Sequence, residues 1–207
     1  MFGEGSLTFQ EFVMQEPLPI TTVQQAVFRF LKGRDDVVMF GAHAVNAYVS
    51  EARMSQDVDI MAVNAKEIAE ALRSFLAAEF HIAVRVRRVK EGIGYRIYQL
   101  RKPENRHLAD IRNVERLPQS KLVDGVQVLT PELTIAGKVN ASWQRRNHPK
   151  SDTDRRDIRY MLLAFPEWRK HPEKITVLLL AAGAAEGAIQ LWNELAAGPL
   201  DAHDEGF

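Results

Sequence analysis

The run Gln56-Asp57-Val58-Asp59-Ile60-Met61 constrains the fold most, because only an extended chain separates its acids cleanly from its apolar residues. A strand has a two-residue period, so Asp57 and Asp59 project from one face while Val58 and Ile60 enter a core. Two carboxylates on neighbouring same-side positions repel each other unless a cation or a basic group lies between them. Hard divalent ions such as magnesium take oxygen ligands of this kind, usually with substrate phosphates completing the shell. The pair therefore marks a candidate metal site.

The surrounding pattern predicts alternating strands and helices. Thr22-Val23-Gln24-Gln25 reads as a capping box that opens a helix to about Lys32. Val37-Val38-Met39-Phe40 is a short buried strand, and Gly41 turns the chain into a second helix over 42–52. After the strand over 57–61, residues 65–79 form an amphipathic helix with Ile68, Leu72, Phe75 and Leu76 on one side. Residues 82–87 and 95–100 read as a hairpin across Gly92-Ile93-Gly94, and Leu108-Ala109-Asp110-Ile111 as a strand with an acid in its middle. Asp124-Gly125 is the turn of a tight hairpin. Helices follow. Thr130-Pro131 caps one running to about Trp143, Ser151 to Asp154 opens another that Phe165-Pro166 closes, and residues 173–197 hold two more.

A chain of 207 residues is long enough for one real core with a helical annex. Its 46% hydrophobic and 26% charged residues indicate a globular protein, and its 27 basic and 27 acidic residues give no global sign of a nucleic-acid binder. The absence of cysteine excludes disulfides, zinc-thiolate sites and thiol catalysis. It also fits a reducing compartment. The N-terminus lacks a signal-peptide profile, and the longest apolar stretch, over 177–185, falls far short of the ~20 residues a spanning helix needs. A cytoplasmic protein without a membrane span is the expectation.

The strand-Gly-helix turn, the Asp-x-Asp strand and a lone Asp110 on a later strand resemble the nucleotidyltransferase superfamily. With Lys138 on one helix and Asp154-Arg155-Arg156-Asp157-Ile158 opening the next, the chain is similar to the AbiEii/AbiGii abortive-infection toxin nucleotidyltransferases. The resemblance covers about residues 22–163. It implies a mixed α+β fold in which a short sheet flanked by helices is followed by a helical part. The expected organisation is an N-terminal arm over 1–20, the α/β domain over 21–130, helices over 131–200 and a flexible tail over 201–207.

The resemblance also implies a chemistry. Asp57, Asp59 and Asp110 would hold magnesium and catalyse transfer of a nucleoside monophosphate from an NTP to a hydroxyl, with Asp110 helping to deprotonate the acceptor. Gly41 lets backbone approach the triphosphate, and the following helix, with Ala42 and His43 in its first turn, points its free N–H groups there. Arg53 and Ser55 would brace the site, Lys138 would reach the phosphates, and Asp157 would anchor Lys138. The implied acceptor is RNA, a tRNA end among the candidates, and the implied partner is an antitoxin. An aminoglycoside is the competing acceptor within the same chemistry. In this family a second Gly and then Ser or Thr usually follow the first Gly, whereas here Ala42 and His43 stand there. That departure sets a second hypothesis beside the enzyme, a nucleotide-binding or interaction module without turnover. A third is a partner-binding protein that takes no nucleotide.

Each residue also has a plainer reading. Asp110 could pair with Arg112, Lys138 could lie on a helix surface, and His43 could be structural. The acids over 152–157 could be a solvated helix start, and Trp143, Trp168 and Trp192 are most simply core or interface anchors. Eight basic residues against two glutamates lie between Arg85 and Arg106. They would line a groove for RNA phosphates or guard an exposed edge strand. Arg145, Arg146, His148 and Lys150 form a second basic patch with the same two readings.

Overall fold

The computed structural model describes residues 18–89 and 93–200. The expected arm up to residue 17, the hairpin tip at 90–92 and the tail over 201–207 lie outside the described residues. The chain divides into two compact units. One combines the chain up to Ala47 with Ala52–Leu129, and the other combines Tyr48–Glu51 with the chain from Thr130 onward. Among the described residues, no helix is long and apolar enough to cross a membrane.

The first unit is built on a mixed seven-stranded sheet. Its elements in chain order are α1 (Ile20–Leu31), β1 (Val37–Phe40), α2 (Gly41–Asn46), β2 (Val58–Ala62), α3 (Ala65–Phe80), β3 (Val84–Val89), β4 (Gly94–Gln99), β5 (Arg106–Asn113), β6 (Ser120–Val123) and β7 (Val126–Leu129). The strand order is β3-β4-β5-β2-β1-β7-β6. β2 runs parallel to β5 and β1 parallel to β7, while the other neighbours are antiparallel. The mixed α+β class expected from the sequence is the one observed.

Register across the sheet sorts its two faces. Val86, Ile97, Ala109 and Val58 stand in one row across β3, β4, β5 and β2, and the last three are fully buried. α3 packs on β3, β4 and β5 and buries Ile68, Leu72 and Leu76. Each such side chain contributes about 1.5–3 kcal/mol by leaving water. Phe75 stays half-buried, with its ring 5.6 Å from that of Phe30. The next row reads Arg87, Arg96, Asp110, Asp59 and Phe40 across β3, β4, β5, β2 and β1. Period two therefore places every charged group of that row on the face opposite the apolar one.

Two helix boundaries differ from the sequence expectation. The capping box does not form, because α1 begins at Ile20 with Pro19 as its cap and takes Thr22 inside. The Pro19 carbonyl accepts from the N–H groups of Thr22 and Val23, and the Gln24 amide donates instead to the Ser55 carbonyl at 2.5 Å. α2 stops at Asn46 rather than near residue 52. The Asn46 amide donates to the Arg53 carbonyl at 2.7 Å and accepts from the Arg53 N–H at 3.0 Å, which ties the helix end to the approach of β2. The Asp124-Gly125 turn forms as expected, with both residues at positive φ, 49° and 83°, as a two-residue hairpin requires.

The second unit is helical, with α4 (Pro131–Gln144), α5 (Lys150–Ala164), α6 (Glu167–Lys170), α7 (Pro172–Ala181) and α8 (Glu186–Ala197). Ile135, Val139, Ile158, Met161, Ile175, Leu179 and Trp192 form its core, and the Trp192 indole donates to the Pro172 carbonyl at 2.9 Å. Thr130 sits at the expected cap of α4, yet its side chain makes no capping bond and its hydroxyl is buried without a partner among the described residues. Between α4 and α5 runs a polar seam. The Ser142 and Ser151 hydroxyls are 2.9 Å apart, and Lys138 pairs with Asp154 at 3.2 Å and Asp157 at 2.7 Å. Asp154 and Asp157 are thus buried partners rather than a solvated helix start. Arg145 joins Asp154 at 2.6 Å, and Arg146 lies over the Trp143 ring, so half of the second basic patch is engaged within its own unit.

Candidate active site

The acids of the charged row lie side by side, near the start of β2 and in the middle of β5. Asp59 and Asp110 are register partners on these parallel strands, and Asp57 precedes β2. His107 joins them. Its Nδ1 lies 3.0 Å from Asp57 Oδ2 and its Nε2 lies 3.2 Å from Asp110 Oδ1, while Arg96 Nε donates to the same Asp110 oxygen at 3.0 Å. The sequence reading missed His107 for a physical reason. Strict alternation puts residues 107 and 110 on opposite faces, but β5 carries an extra residue against β4, with Ile97 opposite Ala109 and Tyr98 opposite His107. Such a bulge re-aims the side chain, and here it turns His107 onto the carboxylate face. Burial opposes charge on the imidazole, yet the hydrogen bonds to Asp110 and Asp57 prevail and push its pKa up to about 10.

Gly41 follows Phe40 at φ +72°, and a Cβ there would fall inside the Asp59 carboxylate. Glycine is therefore required on both counts. Gly41→Ala is expected to cost about 1–2 kcal/mol from the left-handed backbone alone, with the Asp59 carboxylate displaced in addition. A lower unfolding midpoint together with weaker divalent-ion binding checks this outcome.

Ala42 and His43 are buried in α2. The His43 ring meets Phe28 edge-on at 5.1 Å, and its Nε2 has no hydrogen-bond partner among the described residues. Burial pushes the His43 pKa down to about 4, against the attraction of Asp57, and Arg53 lowers it further. The unfolded chain therefore takes a proton near pH 6.5 that the folded state refuses until about pH 4. Stability is intact above pH 6.5 and falls by roughly 3 kcal/mol as pH drops through that window. In metal-free protein, His43→Leu is expected to remove this part of the acid sensitivity, as chemical denaturation at pH 7 and pH 4.5 would measure.

Arg53 and Ser55 lie on the approach to β2. The Arg53 backbone is held by Asn46, and the Ser55 hydroxyl donates to the Asp57 carbonyl at 3.3 Å. Asp110 is not paired with Arg112, whose guanidinium lies 5.0 Å over the Phe40 ring. Lys138 and Asp157 belong to the helical unit, where they bind each other.

No family model and no curated protein matches the chain. Among solved structures, the polyadenylate synthase of Megavirus aligns with a TM-score of 0.58 at 12% identity over 76% of this chain and 34% of its own. The fold is that of the nucleotidyltransferases. The chain spans about a third of the synthase. JHP933 from Helicobacter pylori aligns with a TM-score of 0.54 at 14% identity, over 92% of each chain.

On this nucleotidyltransferase fold the donor set fits a small divalent ion. One atom each from Asp57, His107 and Asp110 lies within 4.8 Å of the others, and Asp59 and Asp110 both line a pocket of about 130 Å³ that reaches Phe40 and Arg96. Carboxylates suit magnesium, and His107, whose two ring nitrogens are engaged by Asp57 and Asp110, braces those carboxylates rather than adding a donor of its own.

Proposed function

We propose that the protein is a magnesium-dependent nucleotidyltransferase that moves a nucleoside monophosphate from an NTP to a hydroxyl acceptor. The observation that carries this reading is the side-by-side registration of Asp59 and Asp110, with Asp57 and His107 beside them and Gly41 opening the backbone next to Asp59. Asp57, Asp59 and Asp110 would hold the ion, which would supply charge neutralisation to the triphosphate during transfer. The acceptor oxygen bonds to the α-phosphorus as the bond to the bridging oxygen breaks, and pyrophosphate leaves. The acceptor's proton passes to the Asp110 carboxylate. His107 holds Asp57 and Asp110 in place through its two ring nitrogens. Likeness to the abortive-infection toxins extends the reading to an RNA acceptor, tRNA among them, and to a neutralising antitoxin.

The test incubates the protein with magnesium, each labelled NTP in turn, and separate pools of tRNA, bulk RNA and aminoglycosides, with Asp57→Asn as control. Label on one pool with the parent protein only is the expected result. Magnesium-dependent NTP binding with no labelled product in any pool would remove transferase activity and leave a nucleotide-binding module.

A further inference from the structure

We propose that the outer hairpin β3–β4 carries a phosphate-binding track for a single-stranded nucleic acid whose terminal hydroxyl is the acceptor; this rests on the nucleotidyl-transfer reading and adds the path by which such an acceptor is held. Arg87 on β3 and Arg96 on β4 are direct cross-strand partners, and Arg96 is in turn opposite Asp110. Guanidiniums directly opposite each other repel. Arg96 is partly compensated by Asp110, whereas the side chains of Arg87 and Arg88 are exposed and make no hydrogen bond or ion pair among the described residues.

These three arginines, with Val89 and Tyr98, line a groove of about 290 Å³. Val89 and Arg96 also line the pocket that contains Asp59 and Asp110, so the groove opens beside the carboxylates. Tyr98 stacks on His107 with 5.1 Å between ring centroids, which fixes the far wall of the groove to the same cluster. A phosphate between Arg87 and Arg96 turns their repulsion into paired attraction, since the guanidinium fork matches phosphate oxygens. A row that runs from cations at the sheet edge to carboxylates at its centre suits a polyanion that ends in a neutral hydroxyl. It opposes a polycationic acceptor, whose amines would have to pass the arginines. Guarding the sheet edge against aggregation needs charge but not this alignment with the acids.

The test measures binding of a short fluorescein-labelled single-stranded RNA by anisotropy across a salt series, with no NTP present. The parent, Arg87→Glu/Arg88→Glu and Lys121→Glu are compared, the last carrying its exposed charge at the opposite sheet edge on β6. The double variant is expected to lose roughly tenfold or more in affinity, with a salt slope shallower by roughly 1.4. Lys121→Glu and magnesium-dependent NTP binding should be unaffected. Equal binding by the parent and the double variant overturns the track, as does an equal loss in Lys121→Glu. Labelled product on an aminoglycoside, with RNA binding insensitive to Arg87 and Arg88, overturns the track but leaves nucleotidyl transfer standing. RNA binding that depends on both arginines, with no product from any NTP, removes the transfer reading and keeps the track as a binding site. The same oligonucleotide as DNA, and polyphosphate as competitor, separate the sources of phosphate; tighter binding of polyphosphate than of either strand overturns the nucleic-acid assignment.

Discussion

Lys138→Met is expected to destabilise the protein by about 3–5 kcal/mol, because it leaves buried carboxylates without their nearest cation. The Lys138 ammonium lies 2.7 Å from Asp157 and 3.2 Å from Asp154, and the three side chains are 10%, 0% and 2% exposed. Arg145 still reaches Asp154 at 2.6 Å, but the guanidinium of Arg156 is 3.9 Å from Asp157. Chemical denaturation measures the loss, and the double change Lys138→Met with Asp157→Leu should recover a large part, since a neutral apolar pair no longer confines a charge. An unchanged midpoint accompanied by loss of NTP affinity would instead assign Lys138 to the phosphates, the role that family likeness implies.

The framework of the first unit was legible because it depends on local periodicity. Val37 to Phe40 and Val58 to Ala62 have the apolar patterns of buried strands, and an acid within such a run has nowhere to go but the opposite face. Asp57, Asp59 and Asp110 could be singled out for that reason. Their meeting could not be read from spacing, since it depends on β2 pairing in parallel with β5 across more than forty residues of intervening chain. His107 was hidden by the bulge in β5, which breaks the alternation that the reading relied on. Arg96 was visible only as one basic residue among eight, and the register with Arg87 and Asp110 gives it a distinct position.

Helix ends were less legible because several residues compete to cap them. Thr22 and Gln25 fit a capping box, but Pro19 lies upstream with its carbonyl free to accept, and the helix takes the earlier start. In the second unit, Lys138 and Asp157 lie nineteen positions apart in sequence, and their pairing follows from α4 and α5 packing together. The same packing buries acids that, on a lone helix, would favour a solvated first turn.

Asp110→Asn should separate chemistry from stability more sharply than any other single change at the site. Asparagine keeps an oxygen that can accept from Arg96 and His107, and the Arg96 pair is largely exposed, with side chains 45% and 29% accessible. Loss of the Arg96 pair is therefore expected to change stability by under about 1 kcal/mol, and any larger loss comes from His107, whose raised pKa depends on Asp110. Transfer is another matter. On the proposed mechanism the variant removes an ion ligand and the group that takes the acceptor's proton, and losing one such contribution costs on the order of 10²–10³ in rate. NTP binding should weaken less than turnover, because Asp57 and Asp59 remain. Single-turnover transfer and denaturant melts on one preparation measure both quantities. Near-parental turnover in Asp110→Asn would remove Asp110 from the chemistry and leave it as the partner that positions Arg96 at the end of the arginine row.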